Sequence, residues 1–207
     1  IKNYNEWENT RKDNDKSLFW QYDTNDGMEF TASGRILNKE IEKFGVEATR
    51  PTINSYMYGD AKAISKISLI TNNLFKSLEF ENKANKIKKE LQKRLWNNDL
   101  NYFTVLPKDY DKTTKPIDVR ELIGYVPWYF NLPDDKPKYA LAWEKIKDSL
   151  GFAAPFGLTV TEQSHPFFKI SYEGHECQWN GPSWPFATTQ TLKAMANFLN
   201  NYSNNKT

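Results

Sequence analysis

The sequence predicts a mainly α-helical fold of stacked helical hairpins, an α/α solenoid or, if the stack closes, an α/α toroid. Three times along the 207 residues an aromatic loop leads into a segment with an apolar face, near residues 53, 121 and 183. The first two of these segments are followed by an amphipathic stretch, the pattern of an inner helix with a solvated outer partner.

Taken in order, residues 3–15 are polar with scattered aromatics (Tyr4, Trp7) and suit a short helix. Residues 18–34, LFWQYDTNDGMEFTASG, mix aromatics with Asp23, Asp26 and Glu29, are punctuated by Gly27 and Gly34, and read as a structured loop rather than a regular element. Three carboxylates in one aromatic loop are the first concentration of possible chemistry. Residues 51–72 begin at a proline and set Ile53, Met57, Ala61, Ile64 and Ile67 or Ser68 on one helical stripe. Residues 77–96 set Ala84, Ile87, Leu91 and Leu95 against lysines and glutamates, a surface helix. NYFTVLP, 101–107, alternates as one short strand does. RELIGYVPWYF, 120–130, opens the second unit, and after PDDKP the spacing of Tyr139, Trp143, Ile146 and Leu150 predicts a further amphipathic helix. A long loop then leads to QWNGPSWPFATTQTLKAMANFLNNY, 178–202. There Pro182 or Pro185 suits a first helical turn, Asn180 or Ser183 suits its cap, and Leu192, Met195, Ala196 and Leu199 recur on one apolar face.

Bulk composition narrows the function class. With 28 basic and 26 acidic residues the formal charge is +2, and the charges are mixed along the chain, so neither nucleic acid nor a membrane surface is an expected partner. One cysteine, Cys177, leaves no internal disulfide, and with only His165 and His175 beside it no zinc constellation forms, so neither metal nor cofactor is expected. No apolar run reaches membrane-spanning length and the N-terminus lacks a signal-peptide layout; a periplasmic or secreted location is favoured over a cytoplasmic one, and the oligomeric state is left open. Aromatic residues make up 15% of the chain, including seven tryptophans and eleven tyrosines, which favours flat ligands such as saccharides over a plain helical scaffold.

DGMEFTASG, RPTINSYMYGDAKAI, RELIGYVPWYFNLP, APFGLTVTEQSHPFF and ECQWNGPSWPFATTQTL occur in an order that resembles the six-hairpin, (α/α)6-toroid glycoside hydrolases related to mannosylglycerate hydrolase, the processing α-glucosidases and trehalase. The resemblance runs from about residue 18 to 200. It implies a single toroid domain over 1–207, with short strands in its loops, expected to be a partial, C-truncated toroid. It also implies inverting hydrolysis of an α-linked glucoside or mannoside, with an oligosaccharide or glycoside as partner. Inversion needs one carboxylic acid to protonate the glycosidic oxygen and a second carboxylate, roughly 6.5–9.5 Å away, to activate water. The family's acid lies in a Gly–hydrophobic–Asp segment, matched here by Gly27, Met28 and Glu29, with Asp26 as the rival. Its base comes after the WNGPSWP-like segment; within this chain Glu121, Glu162, Glu173 and Glu176 are candidates, Glu176 being the best placed by sequence, although a role as acceptor for sugar hydroxyls or as an ion-pair partner is preferred for it. Trp20, Arg50, Tyr56, Arg120, Trp128, Gln178, Trp179, Asn180 and Trp184 are carried over as substrate-binding residues. Arg50 and Arg120 either bind an acidic substrate group or hold loop carboxylates such as Asp23 or Asp60. The competing functions are a non-catalytic carbohydrate-binding or scaffold module and an inverting sugar phosphorylase.

Overall fold

A computed structural model describes residues 1–12, 17–38, 45–170 and 177–205. Among the described residues seven α-helices and seven short strands alternate, and the long elements are helices. The first helix, α1 (Lys2–Arg11), buries Tyr4 edge-on against Phe19 and Phe80. Strand β1 (Trp20–Tyr22) runs into a 3-10 turn at Asp23–Asp26, and α2 (Ala32–Leu37) follows, so the stretch expected to be irregular is built of three regular pieces. Thr31 caps α2 by accepting a hydrogen bond from the Gly34 amide. Strand β2 (Glu47–Thr49) pairs antiparallel with β1, in the register Trp20 with Thr49 and Tyr22 with Glu47.

Helices α3 (Pro51–Ile70) and α4 (Leu74–Arg94) form the antiparallel hairpin that the 51–72 and 77–96 patterns predict. Pro51 starts α3 where a missing N–H costs nothing, and Asn73 caps α4 through the Lys76 amide. The α4 face Phe80, Ala84, Ile87 and Leu91 is buried against α3, each large side chain contributing about 1.5–3 kcal/mol. At the far end of α3 the stripe runs through Ser65 and Ser68, and Ile67 is exposed. Asp60 is exposed on α3 and takes no arginine partner among the described residues.

The expected strand 101–107 divides in two. Strand β3 (Trp96–Asn97) pairs with β4 (Tyr102–Phe103), whereas β5 (Leu106–Pro107) joins β2 as the third strand of the first sheet. The second inner helix is short, a 3-10 turn at Leu122–Tyr125 leading into α5 (Val126–Tyr129). Gly124 lies against Tyr102 and the Phe103 carbonyl, where any Cβ would collide. The amphipathic helix expected over Tyr139–Leu150 is instead one α-turn, α6 (Pro137–Ala140), and a 3-10 stretch at Leu141–Ile146; Tyr139 and Trp143 are buried and Leu150 is exposed. Strands β6 (Ala153–Ala154) and β7 (Gly157–Leu158) make a hairpin inside the long loop.

Helix α7 (Pro185–Asn201) starts at Pro185 with Trp184 as N-cap; no side chain caps it, so neither Asn180 nor Ser183 has that task. Its buried face is also not the one the leucines suggest. Ala187, Thr191, Ala194, Asn197 and Phe198 are buried, whereas Leu192 and Leu199 are 54% and 53% exposed. Small residues let α7 approach α5 closely, and Asn197 satisfies itself by donating to the Trp128 and Tyr129 carbonyls. Helix α5 lies between α3 and α7, so the three inner helices stand side by side with their N-terminal ends together, and one aromatic core joins Trp96, Phe103, Tyr125, Trp128, Trp143 and Phe198.

Candidate active site

The N-terminal ends of the inner helices converge on the 23–35 segment, and its three carboxylates meet three different environments. Asp23 is buried and accepts from the Thr24 and Val46 amides, both at 2.9 Å, and from Thr31 Oγ1 at 3.3 Å. Asp26 is buried as well. It accepts from Gln21 Nε2 at 2.5 Å, Arg50 Nε at 2.6 Å and Thr52 Oγ1 at 2.9 Å. Burial pushes the Asp26 carboxyl up from its ordinary value, while Arg50, Thr52 and Gln21 pull the other way. Glu29 is half-buried, and among the described residues its carboxylate has neither a hydrogen-bond nor an ion-pair partner.

The turn between them has a local cause. Gly27 takes a left-handed conformation with φ 69°, and Phe30 does the same with φ 55°, so Met28 and Glu29 are suspended between two left-handed residues. Met28 turns into the core. The Glu29 carbonyl accepts the Trp179 amide at 3.0 Å, joining the early loop to the WNGPSWP segment.

Arg50 is fully buried. Its Nη1 donates to Ser33 Oγ at 3.3 Å, and its Nη2 has no hydrogen-bond partner among the described residues. Glu121 is 5% exposed and accepts the Ser33 amide at 3.1 Å; burial pushes its carboxyl up, Arg50 opposing. Arg50, Glu121, Met28, Thr31 and Trp179 enclose a cavity of about 10 Å³, close to the size of one water. The buried network thus runs from Gln21 through Asp26, Arg50 and Ser33 to Glu121.

Several residues expected to meet substrate do other work. Trp128 is 0% exposed inside the aromatic core and has no face to offer a sugar. Trp20 points to the opposite side of β1 from Gln21, with Lys108 and Arg11 over its ring at 3.8 and 4.3 Å. Arg50 belongs to Asp26. Arg120 donates to Glu162 at 2.6 Å and to the Leu100 carbonyl at 2.7 Å, which also occupies Glu162. Asn180 is buried and donates to the Phe167 carbonyl. Glu173, His175 and Glu176 lie outside the described residues.

Three expected residues do collect around the Trp179 amide that holds the Glu29 carbonyl. Trp179 is buried behind Trp184, the two rings stacked at 4.5 Å and 16°, and Trp184 keeps part of its surface open. Gln178 carries the Trp184 indole on its carbonyl and the Arg35 guanidinium on its side chain. A fourth, Tyr56, stands close enough to Asp26 to feel its charge. Its OH accepts Gln190 Nε2 at 2.6 Å, tying α3 to α7, and burial pushes its pKa up to about 12. Arg35 and Gln190 were not anticipated. Reading residues 18–34 as one loop ended that loop a residue before Arg35, and nothing in the α7 pattern singled out Gln190. Among the described residues no group of His, Cys, Asp and Glu could hold a metal ion, and no helix is long and apolar enough to cross a membrane.

The fold is shared with known proteins. A solved chain named "Sialidase" is 42% identical with a TM-score of 0.86, over 97% of this chain and 17% of that one. The GH63 mannosylglycerate hydrolase from Thermus thermophilus, solved with glucose, is 16% identical with a TM-score of 0.57 over 74% of this chain and 33% of its own. An uncharacterized conserved protein from the same organism is 17% identical with a TM-score of 0.57, over 77% and 36%. This chain therefore spans well under half of each, and the two Thermus structures carry the fold alone: helical hairpins of the α/α-toroid type, mainly α with short strands in the loops. No curated protein matches the chain. The family model for the mannosylglycerate hydrolase MGH1-like glycoside hydrolase domain matches residues 1–206, and the chain belongs to that family of glycoside hydrolases.

Proposed function

We propose that this chain carries the proton-donating half of an inverting glycosidase site, in which Glu29 protonates the glycosidic oxygen of an α-linked glucoside or mannoside. The observation that supports it is the sorting of the three loop carboxylates: Asp23 and Asp26 are consumed by the fold, and among the described residues nothing engages the carboxylate of Glu29. Its carbonyl holds the Trp179 amide, and Trp179 is the rigid backing of Trp184, whose partly open ring suits the apolar face of a sugar. Gln178 supplies a polar group beside it, and the names of the matched glycosidases agree with a saccharide substrate. Asp26 is a poor donor on this reading, because protonating it strands the Arg50 guanidinium in the interior.

The water-activating carboxylate is a separate matter. Glu121 is committed to the Ser33 amide and Glu162 to Arg120, so neither is free to activate water. The test is Glu29→Gln in the protein, assayed on α-glucosides and α-mannosides. Turnover is expected to fall by about 10²–10⁴, the usual weight of general acid catalysis, with saccharide affinity kept. The anomer released, followed by NMR, is expected to be inverted. Undiminished hydrolysis by Glu29→Gln removes Glu29 from the role, and a retained anomer removes the inverting mechanism.

A further inference from the structure

We propose that the C-terminal half of α4 and the 134–139 segment that leads into α6 form a docking groove for an anionic polysaccharide, built from none of the residues of the candidate active site. The lysines of α4 are treated in two ways. In the N-terminal half, Lys76 pairs with Glu79 at 3.0 Å, and Lys83 pairs with both Glu79 and Glu8. In the C-terminal half, Lys88, Lys89 and Lys93 recur with Gln92 at one-turn spacing and so share one face. That face borders a hollow of about 500 Å³ whose other wall carries Asp134, Lys136 and Lys138. Five lysines meet one aspartate there, a local charge of +4 in a chain whose formal charge is +2. Asp134 is already occupied, one oxygen by Lys88 at 2.8 Å and the other by Lys136 at 3.1 Å. Among the described residues Lys89, Lys93 and Lys138 have no ion-pair partner. Like charges four apart on a helix, as Lys89 and Lys93 are, repel one another until an anion lies between them.

The walls are fixed before any ligand arrives. The Asp134 amide donates to Gln92 Oε1 at 2.8 Å, fastening the segment to α4, and the Lys138 ammonium rests over the Tyr139 ring at 4.7 Å. The lining also selects among polyanions. No exposed large apolar side chain stands on either wall to enter a lipid surface. The aromatic residue of the lining, Tyr139, is buried, so nucleobases find no ring face to stack on. Lysine ammonium groups are point charges on long stems, able to follow sulfate or carboxylate groups repeated along a saccharide chain. Membership of a glycoside hydrolase family agrees with a saccharide. No lining residue comes from the 23–35 segment or the tryptophan loop, so the groove holds a polymer to the protein and takes no part in bond cleavage.

The experiment titrates the protein with heparin, polygalacturonate and neutral dextran, and with phosphatidylserine vesicles and a single-stranded oligonucleotide as competing polyanions. Heparin or polygalacturonate is expected to bind at least about tenfold more tightly than dextran, and to weaken by roughly tenfold from about 50 to about 200 mM salt as counterions compete. Which of the two binds tells sulfate from carboxylate, and either supports the groove. Reversing three charges together, Lys89→Glu, Lys93→Glu and Lys138→Glu, is expected to weaken that polymer by about tenfold, each surface pair being worth a few-fold. The same charge change on exposed lysines elsewhere, Lys66→Glu, Lys115→Glu and Lys193→Glu, is expected to weaken it by less than about threefold, because salt screens distant charges. Should the first triple variant fail to fold, Lys89→Ala with Lys93→Ala is expected to weaken the polymer several-fold with the urea midpoint kept. Equal loss in the two triple variants traces the binding to net charge and overturns the groove, as does an absent preference for both anionic chains over dextran. Tighter binding of the vesicles or the oligonucleotide overturns the polysaccharide as its occupant.

Discussion

Replacing Asp26 by asparagine tests the buried network at its centre. The carboxylate accepts three hydrogen bonds, from Gln21, Arg50 and Thr52, and its side chain and that of Arg50 are 1% and 0% exposed. Asparagine keeps one acceptor and turns the other into a donor that faces donors, and it leaves the guanidinium without its partner. Breaking a buried ion pair from one side costs about 3–5 kcal/mol. Glu121 and Asp23 also act on Arg50 and keep some compensation in place, so the lower end, about 3 kcal/mol, is expected. With a urea slope of about 2 kcal/mol/M, the midpoint should fall by about 1.5 M. The assay is urea unfolding followed by tryptophan fluorescence, which the buried Trp96, Trp128 and Trp143 make responsive. The double variant Asp26→Leu with Arg50→Met should recover most of the loss, since it removes the stranded charge. A midpoint shift under about 0.5 M in Asp26→Asn, or a double variant worse than the single, refutes the reasoning.

Gly59→Ala would put a Cβ 2.3 Å from Phe130 Cδ1, so although alanine favours a helix, a net loss of about 1–3 kcal/mol is expected. That is a Tm lower by about 3–10 °C by calorimetry, and a higher Tm would contradict the α3–α5 contact. Glu121, with a carboxyl pushed up by burial, contributes stability that is complete below the ordinary carboxylate value of about 4.3 and is lost as pH rises through the raised folded value. Glu121→Gln keeps an acceptor for the Ser33 amide and does not titrate, so its urea midpoint should fall less than that of the parent between about pH 4 and 8; parallel curves would exclude the effect. Asp135 shifts the other way, down to about 2, because it accepts from the Ser203 hydroxyl and amide and from Asn204. Its contribution is present above the unfolded value of about 3.9 and disappears as pH falls through about 2, so protection of the Ser203 amide against hydrogen exchange should drop in that window, and drop at every pH in Asp135→Ala.

Where sequence patterns anticipated the fold, they did so because one physical effect dominated. In α3 and α4 a long apolar stripe, a proline at the first turn and an asparagine cap agree with one another, and the hairpin followed. Helix α7 was legible as a helix and not as a face, because close approach to α5 selected Ala187 and Ala194 over Leu192 and Leu199, and a polar Asn197 is tolerated in the interior by two backbone carbonyls. Periodicity counts apolar residues and is blind to both effects. The second inner helix is shorter than its pattern suggests, and its first turn holds a contact that periodicity does not show: Gly124 packs directly on Tyr102, which is distant in sequence. In the candidate site the Gly27, Met28, Glu29 match picked out the loop, but the division of labour among its carboxylates depends on Arg50 and Val46, which lie outside it. Arg35 was missed because charge balance is a three-dimensional quantity; sequence alone could not reveal that Arg50 and Arg120 have carboxylate partners and that Arg35 has none among the described residues.

The same loop explains why the tryptophan segment matters beyond offering a stacking surface. Gly27 takes its left-handed turn at no steric cost, with open space where a Cβ would stand. Phe30, with φ 55°, carries a strain of about 1–2 kcal/mol for the same region. Such a conformation persists only where its surroundings over-determine it. Here the Trp179 amide grips the Glu29 carbonyl just before the strained residue, and the Thr31 cap starts α2 just after it. Asp23 fastens Thr31 from below, and Glu121 and Arg50 fasten Ser33. The polar side chains around Glu29 are therefore committed to fixing the backbone, and the stacked tryptophans are the clamp that closes it. The proton donor proposed above needs a fixed backbone and an unengaged carboxyl group at once, and of this loop's three carboxylates Glu29 is the one that has both among the described residues.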